Sequence, residues 1–215
     1  MSYTIKEIYY TLQGEGANTG RPSVFCRFSG CNLWTGREID RAQAICQFCD
    51  TDFVGTDGIG GGVFDTPQDV AFAIDSCWPK DINGGWEGAK LVVFTGGEPL
   101  LQLDAEIVDA LHELNFSVAI ETNGTKMPPK GVDWICVSPK VNAPIVLCQG
   151  DELKLVYPQV DCDPSFYTSL DFQHFYLQPL DGPSQSENII LAAQYCLKHP
   201  KWKLSLQMHK MIGLP

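Results

Sequence analysis

The chain is poor in positive charge. Fifteen lysines and arginines face 26 aspartates and glutamates in 215 residues, a formal net charge of −11. That balance argues against a protein held on nucleic acid or on an anionic membrane by bulk electrostatics. Long apolar runs are missing as well. The longest, Val70 to Ile74 and Ile189 to Ala193, are five residues, far too short to span a bilayer. The first residues hold no apolar stretch of signal-peptide length, so the chain is expected to act in the cytoplasm. Histidine is scarce, at four. The stretch 55–62 holds five glycines in eight but lacks the Lys-Ser/Thr ending of a phosphate loop, so it carries no phosphate chemistry.

What is present is cysteine in an odd number, nine, well below a disulfide scaffold. In a reducing compartment these stay thiols. Cys26, Cys77, Cys136, Cys148 and Cys196 have apolar neighbours and read as small hydrophobes. Cys31, Cys46 and Cys49 differ. They form a C-x14-C-x2-C set inside a polar, irregular segment, residues 30 to 52. Structural zinc asks for a fourth ligand. The nearest histidine, His112, lies far along the chain, which leaves Asp50 or Asp52. An iron–sulfur cluster normally takes four cysteines, so three would leave one iron open to a small molecule.

The remaining pattern alternates strands and helices. Strands are expected at 23–29, 90–94, 117–120, 133–137, 152–157, 174–177 and 202–206. One helix starts at Thr66, with Pro67 at its first position and Val70, Ala73, Ile74 and Cys77 on its buried face. Asp104 caps a second, with Ile107, Val108, Leu111 and Leu114 as its stripe. Ser184 and Glu187 read as a capping box for a third, carrying Ile190, Ala193 and Leu197. This rhythm implies an α/β fold with a mainly parallel sheet, in one domain over residues 1–215. Polar groups follow five of the strands: Thr95-Gly-Gly-Glu-Pro, Glu121-Thr-Asn-Gly, Ser138-Pro-Lys, Gln178-Pro-Leu-Asp and Gln207-Met-His-Lys. The carboxyl ends of parallel strands share one edge, so the five are expected to build one pocket beside the cysteine loop.

These residues resemble the radical S-adenosylmethionine superfamily and, within it, the 7-carboxy-7-deazaguanine synthases. The resemblance runs from Tyr10-Thr-Leu-Gln-Gly-Glu-Gly16 through Arg27, the Cys31/Cys46/Cys49-Asp50-Thr51 loop and the strand-end motifs to Pro215. Most members of the superfamily space the cysteines as C-x3-C-x2-C. Here the first gap is fourteen residues, Asn32 to Ile45, an expansion shared by a subset of deazaguanine synthases. Met208 stands where a threonine is common. The fold implied is an incomplete TIM-like α/β barrel with an expanded cluster-binding loop.

The resemblance implies that Cys31, Cys46 and Cys49 hold a [4Fe–4S] cluster whose open iron binds S-adenosylmethionine. Phe48, Cys49 and Asp50 would contact the adenine. Gly96, Gly97 and Glu98 would hold the methionine amino group, with Glu121 and Asn123 nearby. Ser138, Pro139, Lys140 and the run Gln178, Pro179, Leu180, Asp181 would take ribose and carboxylate. The substrate implied is 6-carboxy-5,6,7,8-tetrahydropterin, contacted by Leu12, Gln13, Gly14, Arg27, Thr95, His209 and Pro215. Thr51 would bind Mg2+, with Asp50 and Asp52 as rivals. Arg27 sits in an apolar strand, where it needs either the substrate carboxylate or an internal partner such as Glu121. The reaction implied is radical ring contraction to 7-carboxy-7-deazaguanine with loss of ammonia. The partners implied are an electron donor such as flavodoxin and a second copy of the chain in a homodimer. Two other readings compete: another radical enzyme such as a glycyl-radical activase, and a zinc-stabilised interaction module.

Overall fold

The computed structural model describes residues 2–82 and 88–215. Nine strands form one sheet: β1 (Tyr3–Leu12), β2 (Pro22–Phe28), β3 (Gly62–Phe64), β4 (Lys90–Gly96), β5 (Phe116–Thr122), β6 (Trp134–Val137), β7 (Gln149–Tyr157), β8 (Asp171–Pro179) and β9 (Trp202–Leu204). Their order is β3-β1-β2-β4-β5-β6-β7-β8-β9. From β2 to β9 every neighbouring pair is parallel, while β1 runs antiparallel to β2 and β3. The sheet does not close, so the architecture is a partial barrel.

Side-chain alternation sorts the sheet into two faces. On β4, Val92 and Phe94 belong to the large outer core, and Leu91 and Val93 to a small inner cluster with Ala119, Phe25 and Trp134. The outer core is closed by α1 (Pro67–Cys77) and α2 (Ala105–Glu113), which supply Val70, Ala71, Ile74, Ile107, Val108 and Leu111. A second outer core joins β7 and β8 to α3 (Gln185–Lys198) through Leu153, Leu155, Phe175, Leu177 and Ala192. With helices packed outside, the inner face is left to polar chemistry. None of the described helices is long and apolar enough to cross a membrane.

The expected strands all form, and the helix expected from Thr66 starts there, with a capping box in which Asp69 answers the Thr66 side chain. Three elements are additional. β1 escapes a period-two reading because Lys6 and Glu7 sit at its centre, and a bulge there breaks the register between Ile5 and Glu7. β3 and α4 (Met208–Ile212) are too short to show a period. Helix α3 is corrected. Ser184 makes no side-chain cap bond, and Ile190 and Leu197 are exposed, because the buried face runs through Asn188 and Ala192. At α2, Leu114 lies past the helix as its C-cap residue and is exposed.

Candidate functional site

A cavity of about 560 Å³ opens at the carboxyl ends of the parallel strands, within the usual range for small-molecule sites. All five polar strand ends reach it: Thr95, Gly96 and Gly97 at the end of β4, Glu121 and Asn123 at the end of β5, Ser138 and Lys140 after β6, Gln178 to Asp181 at the end of β8, and His209 after β9. Cys31, Cys46, Phe48, Cys49, Asp50 and Thr51 line one end. Leu12, Gln13, Arg27 and Pro215 also belong to the lining. Of the residues singled out in the sequence, Gly14, Glu98 and Pro139 stand outside the lining.

The thiol corner depends on how the long loop closes. Leu33 O accepts from Ile45 N at 3.1 Å and from Cys46 N at 3.3 Å, returning Cys46 beside Cys31 despite the intervening residues. A 3-10 turn over Glu38–Gln43 fills the gap. Arg41 stacks 4.0 Å from the Trp34 ring centre and donates to Gln47 O and Cys49 O, fixing the turn between the last two cysteines. Trp34 in turn packs edge-on against Phe53. The loop is therefore a small folded unit with a buried indole, not the irregular segment its composition suggests. The neighbouring Cys46 and Cys49 thiols act on each other, which holds Cys49 low and, with burial, raises Cys46.

Gly97 has no room for a side chain. A Cβ there would lie 2.2 Å from Gly30 O and 2.6 Å from Cys31 Cβ. Glycine thus lets the end of β4 abut the first cysteine. The Glu98 carboxylate turns away from the cavity and is fully buried. It accepts from Leu100 N (3.0 Å), Thr122 Oγ1 (2.7 Å) and Asn123 N (2.8 Å), tying the ends of β4 and β5 together. Burial pushes its carboxyl up, and those three bonds oppose the rise. Lys140 donates to Ser138 O and Oγ, both at 2.7 Å, and burial pulls its ammonium down.

Arg27 finds its partner on β1, at Glu7 (2.7 Å), with Tyr9 OH at 3.3 Å; Glu121 is not its partner. Glu121 instead belongs to an ionic floor. Lys154 Nζ, on β7, bridges Glu15 Oε2 (2.5 Å) and Glu121 Oε2 (2.8 Å). Gln13 Nε2 donates to Glu121 Oε1 at 2.9 Å. Gln178 Nε2 and Gln207 Nε2 both donate to Glu15 Oε1, at 3.0 and 3.1 Å. At the rim, α4 lies over the floor. Met208 N donates to Gly14 O at 3.0 Å, and Pro215 O accepts from Thr11 Oγ1 at 3.1 Å. A Cβ on Gly14 would sit 2.0 Å from His209 Nδ1, so glycine there makes room for the imidazole. Lys210 Nζ closes the rim by bridging Asp50 (2.8 Å) and Asp181 (2.5 Å).

Sequence reasoning missed Glu15 and Lys154 as lining residues, and gave Gln207 and Lys210 no role of their own beyond membership of the last strand-end motif. The signal for the first was its place in Gln13-Gly-Glu-Gly16. Lys154 and Glu152 were legible only as two charges inside an apolar strand, where an unpaired charge is costly.

Three thiols on one cavity wall suit an iron–sulfur cluster, whose cysteines each take a different iron. Among the described residues no three His, Cys, Asp or Glu side chains converge as they would on a single ion. Gln178 Oε1 is buried without a hydrogen-bond partner. Asp50 and Asp52 each face a lysine, Lys210 and Lys6, at 2.8 Å.

No protein-family model matches the chain. Curated relatives named 7-carboxy-7-deazaguanine synthase match it over its full length and theirs. The protein from Bordetella pertussis is 60% identical over 215 residues, that from Caulobacter vibrioides 58%, and that from Nitratidesulfovibrio vulgaris 52% over 222. Among solved structures, the crystal structure of QueE from Escherichia coli is similar at a TM-score of 0.73 and 27% identity, covering 97% of this chain and 95% of that one.

Proposed function

The chain belongs to the 7-carboxy-7-deazaguanine synthase family, and on that premise we propose how its cavity divides the work. It is a radical S-adenosylmethionine lyase that converts 6-carboxy-5,6,7,8-tetrahydropterin to 7-carboxy-7-deazaguanine with loss of ammonia, in 7-deazapurine (queuosine) biosynthesis. S-adenosylmethionine and an iron–sulfur cluster are its cofactors. When bound, they supply hydrogen-atom abstraction from carbon, chemistry that no side chain offers.

The chain's own residues position and shield. Cys31, Cys46 and Cys49 hold the [4Fe–4S] cluster, and Arg41 keeps the turn between the last two rigid by binding its carbonyls. Gly96 and Gly97 offer close backbone approach to the methionine amino group. Glu98 acts behind them, fixing the ends of β4 and β5. Lys140, whose partners are the carbonyl and hydroxyl of Ser138, takes the methionine carboxylate. Gln178 to Asp181 take the ribose, and Phe48 to Asp50 the adenine. Arg27, aimed by Glu7, receives the substrate carboxylate. Leu12, Gln13, Thr95 and His209 surround the pterin, and Gly14, just behind the lining, makes room for His209. Thr51 is the Mg2+ ligand. It lines the cavity, and magnesium needs few protein oxygens because it keeps its waters. The enzyme takes electrons from a flavodoxin-like donor, works as a cytoplasmic homodimer, and forms one domain over residues 1–215.

The observation that carries this reading is the meeting of three thiols and five polar strand ends on one cavity. The test is anaerobic reconstitution with iron and sulfide, reduction, and EPR with and without S-adenosylmethionine, followed by product analysis with the pterin. A [4Fe–4S]+ signal that shifts on adding S-adenosylmethionine, and 7-carboxy-7-deazaguanine formed from the pterin, are expected. A cluster that ignores S-adenosylmethionine would overturn the assignment.

A further inference from the structure

The glycine-rich stretch 55–62 lines no part of the cavity. It packs instead against the bulge in β1, and the side-chain alternation of that strand shows what the bulge does. Tyr3, Ile5 and Ile8 belong to the outer core, with Tyr10 packed against it, while Lys6, Glu7 and Tyr9 line the cavity. From Ile5 to Ile8 the core face advances three residues, where a regular strand takes two. Unbroken alternation from Ile5 would send Glu7 into the apolar core and Ile8 to the cavity. The bulge turns two consecutive charged side chains to the same face instead.

The two have different partners. Glu7 lies opposite Arg27 on β2 and accepts from its Nε at 2.7 Å. Lys6 Nζ reaches Val54 O (2.9 Å), Asp52 (2.8 Å) and Asp57 (2.7 Å), fixing the chain where it runs on from Thr51. The glycine-rich stretch holds both from behind. Gly58 N donates to Lys6 O at 3.0 Å and Ile8 N to Ile59 O at 2.7 Å, which ties down the backbone on either side of Glu7. The approach is too close for side chains. A Cβ on Gly61 would lie 2.2 Å from Lys6 O, and one on Gly58 2.7 Å from the same atom. A backbone oxygen cannot turn aside as a flexible side chain can. Gly62 differs, because a Cβ there meets only the Phe64 ring, at 3.6 Å.

We propose that the 55–62 stretch is a strap that positions the substrate-binding arginine: by bracing the β1 bulge it keeps Glu7 on the cavity face, and Glu7 aims Arg27. The proposal rests on the reading that Arg27 receives the carboxylate of the pterin. Gly58 and Gly61 act through β1 and touch neither substrate nor cofactor.

The experiment is equilibrium dialysis of 6-carboxy-5,6,7,8-tetrahydropterin, and of the same pterin without its carboxylate, against the anaerobic holoenzyme with S-adenosylmethionine. The cluster is left unreduced, so no turnover intervenes, and iron content and Tm are recorded for every variant. Gly61→Ala is expected to weaken binding of the carboxylated pterin about tenfold, the worth of one hydrogen bond to a charged group. Its binding of the pterin without carboxylate is expected to match that of wild type. Gly62→Ala is expected to bind both as wild type does. Gly58→Ala meets the same carbonyl less closely and stands in for Gly61→Ala if that variant fails to retain iron. A strap with only a structural role would weaken both pterins alike. Equal losses for the two pterins, no loss for either, or the same loss in Gly62→Ala would overturn the positioning role alone. A wild-type holoenzyme that binds the two pterins equally would bring down the reading of Arg27 and the proposal with it.

Discussion

Two lysines in this molecule do the same job in opposite surroundings. Lys154 bridges Glu15 and Glu121 at the cavity floor, and Lys210 bridges Asp50 and Asp181 at its rim. Each joins carboxylates from two separate elements, at distances of 2.5 and 2.8 Å in both cases. The Lys154 side chain is 3% exposed and that of Lys210 is 38%. Water decides what these equal geometries are worth. At the floor there is little solvent to replace a lost partner, so removing one charge leaves the others stranded. At the rim, solvent and salt substitute readily. The floor is thus suited to fixing geometry permanently, and the rim to a contact that opens and closes.

The largest effect expected from this contrast is in Lys154→Met. Two carboxylates are then left buried without their cation, at a cost of about 3–5 kcal/mol, read as a drop in the urea midpoint. The triple variant Lys154→Met, Glu15→Gln, Glu121→Gln removes every charge of the set and is expected to recover part of that stability. A triple variant weaker than Lys154→Met alone would break the argument.

Gly14 joins floor to rim, because its carbonyl takes Met208 N and its α-carbon faces His209. Gly14→Ala forces the imidazole aside and is expected to cost about 1–3 kcal/mol by overpacking. It should raise the KM for the pterin more than it lowers Tm. Unchanged kinetics would show that α4 can shift freely.

The pH dependence sharpens the comparison. Glu15 and Asp181 both have carboxyls held below their ordinary values of 4.5 and 3.8, the former by Lys154 and Gln207 against burial, the latter chiefly by its hydrogen bond to Lys210. A depressed carboxyl makes the unfolded state the stronger proton binder. Its stabilisation is therefore present above the unfolded pKa and lost as pH falls through the folded one. Acid titration of stability below about pH 4.5 should flatten in Glu15→Gln more than in Asp181→Asn. Equal flattening would place floor and rim in the same electrostatic regime.

The smallest stability effect belongs to Lys210→Met, about 0–1 kcal/mol after solvent screening. Its signature is binding. Wild-type affinity for S-adenosylmethionine should weaken between about 0.1 and 1 M salt as the clasp is screened, and the variant should show a weaker, flatter dependence. An unaltered salt response in Lys210→Met would remove the clasp from the argument.

Much of the site was legible along the chain because parallel strands have directional ends. Once Thr95, Glu121, Ser138, Gln178 and His209 were read as following strands, one edge had to collect them. Each of those strand ends did line the cavity, though Glu98, Pro99, Gly124, Pro139 and Met208 within the motifs stand outside it. Glu98 illustrates the limit. Its motif announces a carboxylate at the site, but the backbone turn sends it inward to bind Thr122 and Asn123. Arg27 illustrates another. The sequence showed a charge needing a partner, and the partner, Glu7, lay on the strand that the bulge had concealed.

By itself the sequence determined the strand–helix alternation, the three cysteines that stand apart from the core, and the polar ends that meet at one edge. Those are local facts of period, capping and spacing, fixed over a few residues at a time. Only the tertiary structure decided that the cysteine loop folds around Trp34, that α3 buries Asn188 and Ala192 in place of its larger apolar residues, and that Glu15, Glu121 and Lys154 share one floor. The shared floor depends on pairing between residues more than thirty positions apart in the chain. A charge inside a strand states a cost, and which partner offsets it is settled when the sheet curves and sets β5, β7 and the loop after β1 side by side.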